Sequence, residues 1–188
     1  MVNQSKPTVA IFGGSFDPPH LGHQHIVETA IQRLDIDSLL LVPAYLSPFK
    51  TSSLASAKKR LEWCHTLFDN SPKVIVKAYE IQEGKSTTTS QTIKHFNIEN
   101  YVKYLIIGSD NLEKLSQWHQ FDWLNSHIIW VIVTREGHPI KTDFLNAWRV
   151  LYVDTAISSS QIRKIGLLDY VDTKIKKSVH HVLQGQNK

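Results

Sequence analysis

The sequence predicts an α/β protein with a doubly wound parallel sheet and helices on both faces of the sheet. Short apolar segments rich in β-branched residues alternate with segments of helical periodicity, and no long linker, internal repeat or low-complexity block interrupts the alternation. Several of the short segments are apolar on both faces, so each such strand must be covered on two sides. Strands joined in this way by helices pair in parallel.

Six strands are predicted from short apolar runs, and the first two of these runs end at a turn signal. The first run ends at Gly13-Gly14 and the second at Pro43. The predicted strands are residues 8–12, 38–42, 73–78, 102–107, 128–133 and 149–153. Ligands of such sheets bind beyond the carboxyl ends of the strands, where the strand order reverses. We therefore expect the site at the turns after Phe12, Val42, Ile107 and Val133.

Helices are predicted where apolar residues recur three and four positions apart, as they do after His20. The predicted helices are residues 20–34, 55–68, 90–96, 111–124 (one helix or two), 158–168 and 173–183, of which the last two form a small C-terminal helical part. With 188 residues, 41% hydrophobic and 20% charged, the composition is that of a globular protein. We expect one domain spanning residues 1–188.

Composition excludes several classes of protein and leaves the partner open. The single cysteine, Cys64, excludes an intrachain disulfide scaffold and a Cys-rich zinc site. No apolar segment precedes Pro7, and the longest apolar runs are far shorter than the roughly 20 residues that span a bilayer. We expect a soluble cytoplasmic protein without a membrane partner. The net charge of +4 fits a nucleic acid, a nucleotide or no anionic partner at all.

The most informative segment follows the first strand and reads GGSFDPPHLGH from Gly13 to His23. Two glycines allow a ligand to approach the backbone closely, and the Asp-Pro-Pro sequence stiffens the turn. His20 and His23 share the first turn of the next helix, where free N–H groups and the positive end of the helix dipole also lie. The segment is therefore a prepared phosphate site, in which neutral or protonated imidazoles can donate hydrogen bonds.

Other interpretations of this segment are weaker. No G-x-G-x-x-G pattern starts at Gly13, so the usual dinucleotide fingerprint is missing. A metal site at His20, His23 and His25 and a purely structural role for the first two remain alternatives. We assign no metal ligand, because no zinc ligand set is recognisable.

A second segment, ISSSQIR from Ile157 to Arg163, follows the last predicted strand and opens a helix. Serine is a good N-cap, successive hydroxyl and N–H groups can hold phosphate oxygens, and an arginine adds a fixed cationic fork. The alternative is simply a well-capped helix.

Both segments resemble known signatures. Residues 16–23 resemble the HxGH signature of the nucleotidyltransferase superfamily, which class I aminoacyl-tRNA synthetases share, but 188 residues leave no room for an anticodon-binding region. Residues 157–163 resemble the ISSTxIR signature of bacterial nicotinate-nucleotide adenylyltransferases, with Ser160 in place of Thr. Further segments resemble this family in chain order: Lys50, Arg60-Leu61, 87–92, 107–110, Trp118 and 134–137. Phe49 and Thr88 depart from the His and Tyr that the family usually has there.

The resemblance implies a Rossmann-like fold and transfer of the adenylyl group of ATP to nicotinate mononucleotide, with Mg²⁺ bridging the ATP phosphates. It implies catalytic roles for His20, His23 and Arg163. The implied ATP-binding residues are Gly13, Gly14, Ser15, Phe16, His20, His23, Gly108, Asp110, Ile157, Ser158, Ser159 and Arg163. The implied residues on the mononucleotide side are Ser15, Phe16, Lys50, Thr89, Trp118 and Arg135.

Rival functions remain at this stage. Another small transferase of the superfamily could use nicotinamide mononucleotide or phosphopantetheine as acceptor, or be a cytidylyltransferase. A non-catalytic nucleotide-binding or RNA-binding module is suggested only by the basic pI, and no basic and aromatic surface stretch accompanies it, so we expect no nucleic-acid partner. The sequence is compatible with a homodimer as well as with a monomer.

Overall fold

A computed structural model of the protein describes residues 7–46, 51–96, 101–153 and 157–185. Its strands are β1 (Thr8–Gly14), β2 (Ser38–Pro43), β3 (Val74–Val76), β4 (Val102–Gly108), β5 (Ile129–Val133) and β6 (Trp148–Leu151). They form one parallel sheet in the order β3-β2-β1-β4-β5-β6. The doubly wound Rossmann-like prediction is confirmed. The strand order reverses between β1 and β4, so the ligand site is expected beyond the ends of these two strands.

Helices connect the successive strands from β1 to β5, none lies between β5 and β6 in residues 134–147, and the last helices follow β6. The helices are α1 (Leu21–Arg33), α2 (Ala57–Phe68), α3 (Tyr79–Glu83), α4 (Thr89–His95), α5 (Phe121–His127), α6 (Ser159–Ile165) and α7 (Thr173–Gly185), with 3-10 helices at Ser109–Gln117 and Leu168–Tyr170. None in the described ranges is long and apolar enough to cross a membrane.

Hydrophobic side chains cover both faces of the sheet, as the two-sided apolar strands predict. Ala10 and Phe12 of β1 belong to a buried cluster that also contains residues of α1, α2, α6 and α7. Ile11, between them in sequence, belongs to a second buried cluster with residues of α4, α5 and the first 3-10 helix. Successive residues of a strand point to opposite faces, so two helical layers enclose the sheet.

Two segments differ from the prediction, and a third decides between two predicted alternatives. The predicted strand 73–78 shrinks to β3. The sequence analysis missed α3, which begins at Tyr79 and is followed by Gly84 as its C-cap with φ 65°. Five residues are too few for a helical period to be visible. Residues 111–124, predicted as one helix or two, form two: the 3-10 helix Ser109–Gln117 and α5, with Gln120 at φ 58° between them. The predicted helix 158–168 ends at Ile165 because Gly166 adopts φ 68° as a left-handed C-cap.

Candidate active site

A cavity of about 620 Å³ opens beyond the carboxyl ends of β1, β2 and β4, at the point where the strand order reverses. The predicted turns after β1 and β4 contribute most of the loop residues that line it, and the starts of α1, α4 and α6 also contribute. The predicted site residues that line it are Gly13, Gly14, Ser15, Phe16, His20, His23, Thr89, Gly108, Asp110, Trp118, Arg135, Ser158 and Ser159.

Two predicted site residues lie outside this cavity, and the position of a third is not described. Ile157 is buried in the hydrophobic core with Ile162 and helices on the same face of the sheet. Arg163 lines a different cavity of about 630 Å³, on the other side of the loop that contains Asp17. Lys50 lies outside the described residues.

The loop after β1 brings its backbone to the cavity because the Phe16 ring is buried beneath it. Phe16 has φ 46°, in the left-handed region, and its ring lies edge-on to Phe12 with 5.6 Å between the centroids. A Cβ atom on Gly14 would come within 3.1 Å of this ring, closer than ordinary contacts allow. Glycine at position 14 therefore lets the loop fold over its own phenylalanine.

The two histidines lie in contact at the start of α1, with their ring planes tilted by 41°. His20 is the N-cap and His23 the third residue of the helix, with ring centroids 3.8 Å apart. The backbone N–H of His20 donates to Nδ1 of His23 at 3.2 Å, so a neutral His23 carries its proton on Nε2. Nδ1 of His20 is buried and has no hydrogen-bond partner among the described residues.

Both imidazoles are neutral near pH 7. Burial lowers the pKa of His20 to about 3, and the Arg135 cation acts in the same direction. The pKa of His23 is also lowered, first by burial, then by the neighbouring His20 and by Arg135. Of the two states that the sequence allowed, the structure therefore favours neutral donors, each offering one N–H group.

This protonation state predicts a pH-dependent stability. Between about pH 6.5 and pH 3 the unfolded His20 binds a proton that the folded one does not, so the free energy of unfolding falls as the pH falls through this range. At pH 5 the effect is about 2 kcal/mol for one such histidine. Urea unfolding at pH 7 and pH 5 measures this effect. Between these pH values, His20→Asn should lose less free energy of unfolding than the unsubstituted protein does.

The matched control is His181→Asn, which replaces an exposed histidine of α7. It should retain the full loss of stability between pH 7 and pH 5. Equal losses in all three proteins would contradict a neutral, buried His20.

On the β4 side of the cavity, a cation and a carboxylate pair beside a glycine. Nε of Arg135 lies 3.2 Å from Oδ1 of Asp110, and the Arg135 backbone N–H donates to Oγ of Ser109 at 3.0 Å. A Cβ atom on Gly108 would collide with the Asp110 carboxylate and come within 2.8 Å of Arg135 Nε. Glycine at this position leaves room for the pair.

The start of α6 holds the loop after β1. Ser158 caps the helix by accepting a hydrogen bond from the Gln161 N–H at 3.2 Å. Oγ of Ser159 donates to the Pro18 carbonyl at 2.9 Å, and Nη1 of Arg163 donates to the Asp17 carbonyl at 2.5 Å. The segment is thus a well-capped helix, and it also fixes the turn that precedes the two histidines.

An aromatic wall lies at the other end of the cavity. Trp118 is half-buried and lies edge-on to Trp130, with 6.3 Å between the centroids. Next to it, Nδ1 of His119 is 3.0 Å from Oγ of Ser90, a neighbour of the predicted Thr89. The sequence analysis missed His119, because its partner lies 29 residues away in sequence.

Two buried charged residues near the cavity were not predicted as site residues. Arg60 lies on α2 and Glu80 on α3, and both are at least nine-tenths buried. The signal for Arg60 was in the sequence: it shares the spacing i, i+3, i+4, i+7 with Trp63, Cys64 and Leu67, which places a charge on an apolar helix face. Glu80 had no such signal, because α3 itself was missed.

The metal alternative finds no support in the described structure. Among residues 7–46, 51–96, 101–153 and 157–185 no group of three or more His, Cys, Asp or Glu side chains could hold a metal ion. His25 is exposed, whereas His20 and His23 are buried, so the three imidazoles do not form one ligand set.

Known proteins are similar to this chain over its whole length. Residues 11–165 match the family described as cytidylyltransferase-like. A protein of Sulfurovum sp. (strain NBC37-1), named probable nicotinate-nucleotide adenylyltransferase, is 62% identical over 98% of each chain. One of the same name from Campylobacter jejuni (strain RM1221) is 39% identical over 91% of this chain and 93% of its own length.

A solved structure shares the fold. It is the Plasmodium falciparum nicotinic acid mononucleotide adenylyltransferase complexed with NaAD, which is 22% identical, covers 96% of each chain and has a TM-score of 0.74. From the sequence relatives and the matching family, the chain belongs to the cytidylyltransferase-like family and, within it, to the nicotinate-nucleotide adenylyltransferases.

Proposed function

We propose that the protein is an enzyme of NAD biosynthesis that transfers the adenylyl group of ATP to nicotinate mononucleotide, giving nicotinate adenine dinucleotide and pyrophosphate. One observation carries this proposal: two neutral imidazoles at the start of α1 share a cavity with the hydroxyls of Ser158 and Ser159, where the strand order reverses. The names of the relatives support the choice of acceptor.

The reaction needs alignment and charge stabilisation rather than a protein nucleophile. A phosphate oxygen of the mononucleotide attacks the α-phosphorus of ATP in line, a new P–O bond forms, and the bond to the bridging oxygen breaks so that pyrophosphate leaves. The Nε2–H of His23 is a fixed donor for the α-phosphate, where negative charge develops. Because this imidazole is neutral, it donates a hydrogen bond without giving up its proton.

The remaining lining residues divide between the two substrates. Gly13, Gly14 and Ser15 bring the backbone to the nucleotide, and Ser158 and Ser159 face the phosphates that leave. On the opposite side we place the pyridine ring against Trp118, with Thr89 nearby. Asp110 and Arg135 line the passage between them. A volume of about 620 Å³ is typical of small-ligand sites.

Magnesium is proposed to enter with ATP as part of the substrate. The carboxylates near the cavity are already engaged: Asp17 accepts hydrogen bonds from the N–H groups of Leu54 and Ala55 at 2.7 and 3.0 Å, and Asp110 pairs with Arg135. Mg²⁺ commonly keeps phosphate and water ligands rather than a protein cage. The donor set therefore fits a metal held by the triphosphate.

The proposal also covers the domain organisation of the protein and its location in the cell. We place residues 1–188 in one nucleotidyltransferase domain, which is supported by the single sheet that contains all six described strands. We place the protein in the cytoplasm, which is supported by its free, buried Cys64.

Pyrophosphate release with three acceptors tests the proposal. The protein is incubated with ATP, Mg²⁺ and nicotinate mononucleotide, nicotinamide mononucleotide or phosphopantetheine, each offered separately. We expect the highest kcat/KM with nicotinate mononucleotide. A preference for either of the other acceptors would replace the substrate assignment, and no turnover with any of them would favour a binding module.

A further inference from the structure

Arg60 is buried on α2, yet its guanidinium contacts backbone from three different segments. Its side chain is 1% exposed. Nη1 donates to the carbonyl oxygens of Ser15 and Ala44, both at 2.6 Å. Nη2 donates to the Tyr45 carbonyl at 2.5 Å, and Nε donates to the Ala55 carbonyl at 3.2 Å.

The carbonyl groups that Arg60 binds lie where β1 and β2 end, beside the cavity. The last backbone hydrogen bond between β1 and β2 runs from the Ala44 N–H to the Gly14 carbonyl at 2.9 Å. Directly beyond it, one guanidinium nitrogen bridges the carbonyls of Ser15 and Ala44. Arg60 thus continues the connection between the two strands past the end of the sheet, where the cavity opens.

Both bridged residues line the cavity, on two different loops. Ser15 belongs to the loop that leads to the two histidines, and Ala44 follows β2. Because both loops line the cavity, a change in the spacing between them changes the shape of the cavity. A planar fork with donors in fixed directions can define that spacing, whereas a single ammonium group cannot.

The neighbouring carboxylates complete this arrangement from the other side. Asp17, 2% exposed, accepts hydrogen bonds from the N–H groups of Leu54 and Ala55, so Ala55 is held at both its N–H and its carbonyl. Glu80 accepts a hydrogen bond from Oγ1 of Thr92 at 3.0 Å. Burial lowers the pKa of the Arg60 guanidinium, and the Asp17 charge is the largest of the effects that oppose this. The group nevertheless stays charged at neutral pH.

We propose that Arg60 is a positioning residue for adenylyl transfer: its guanidinium fixes the separation of the loops after β1 and β2, and through it the alignment of the attacking phosphate with the α-phosphate of ATP. This inference rests on the proposed function. It assigns Arg60 no contact with either substrate. A loss of alignment should therefore appear in kcat more than in the KM values.

The test compares Arg60→Met and Arg60→Lys with a matched variant of the same helix. Trp63→Phe is the control, because Trp63 is 1% exposed and its Nε1–H donates to Ser178 of α7 at 3.0 Å, away from both loops. Each protein is assayed well below its Tm with ATP and nicotinate mononucleotide, and kcat is referred to the folded fraction. We expect Arg60→Met to lose about 30-fold in kcat with less than about threefold change in either KM.

Arg60→Lys and Trp63→Phe distinguish the geometry of the guanidinium from its charge and from its effect on protein stability. Arg60→Lys keeps the charge and should fold even if Arg60→Met does not, but it should lose about tenfold or more in kcat because one nitrogen cannot span the four carbonyls. Trp63→Phe should lower the Tm and leave kcat unchanged. Wild-type kcat in Arg60→Lys, or an equal loss in Trp63→Phe, would overturn the inference. An inactive unsubstituted protein would instead overturn the proposed function.

Discussion

Replacing His23 with alanine is expected to lower kcat about 10³-fold, with less than about threefold change in the KM for ATP. The reason is that Nε2–H of His23 is a preorganised donor, fixed by the hydrogen bond that Nδ1 accepts from the His20 backbone. Such a donor acts most strongly on the charge that develops at the α-phosphate in the transition state. Steady-state kinetics with varied ATP and saturating nicotinate mononucleotide measure both constants.

Two further variants define the role of His23. His23→Gln restores a neutral N–H donor near the position of Nε2 and should recover part of kcat, whereas a requirement for a charged imidazolium would leave it as inactive as His23→Ala. His25→Ala changes an exposed histidine of the same helix and should leave kcat unchanged. If His23→Ala keeps kcat within about threefold of the unsubstituted enzyme, the imidazole has no part in the chemistry.

The second large effect is expected at Arg163, where Arg163→Met should lower kcat about 100-fold. The guanidinium donates to the Asp17 carbonyl at 2.5 Å and lies 3.8 Å from the buried Asp17 carboxylate. Removing it frees the turn that carries the two histidines and leaves the Asp17 charge with less compensation. A lower Tm should accompany the loss of kcat.

Lys164→Met is the matched control for Arg163, because it removes one positive charge from the next residue of α6, which is exposed. It should change kcat by less than about threefold. Measuring kcat together with the KM for ATP also distinguishes two roles for Arg163. If Arg163 only holds the turn in place, Arg163→Met lowers kcat alone. If it binds the departing phosphates directly, Arg163→Met also raises the KM for ATP. Equal kcat in Arg163→Met and Lys164→Met would contradict both roles.

The sequence predicts the sheet well because its strands are short and apolar, and those at its centre are apolar on both faces. The run before Gly13-Gly14 and the run before Pro43 became the adjacent strands β1 and β2. The same reasoning located the cavity, because the carboxyl ends of parallel strands lie on one edge of the sheet. The five-residue helix α3 and the end of α6 before Gly166 were beyond this reasoning, because neither shows in a helical period.

The side-chain contacts of the site were less accessible to sequence reasoning. Arg163 was expected to face ATP phosphates, but its donors reach a carbonyl 146 residues earlier in the chain. Arg60 could have been suspected from its place on an apolar helix face, but not the carbonyls it would hold. The neutral state of the two imidazoles depends on burial and on Arg135, which lies on a distant loop. Such contacts follow from the assembled fold.

The position of an isotopic label tests the central claim most directly. The enzyme is incubated with nicotinate mononucleotide and ATP that carries radioactive phosphorus at either the α- or the γ-position, and the products are separated by chromatography and counted. Adenylyl transfer predicts that the α-label appears in nicotinate adenine dinucleotide and the γ-label in an equal amount of pyrophosphate. A γ-label in a phosphorylated mononucleotide or in inorganic phosphate, with no dinucleotide formed, would contradict it.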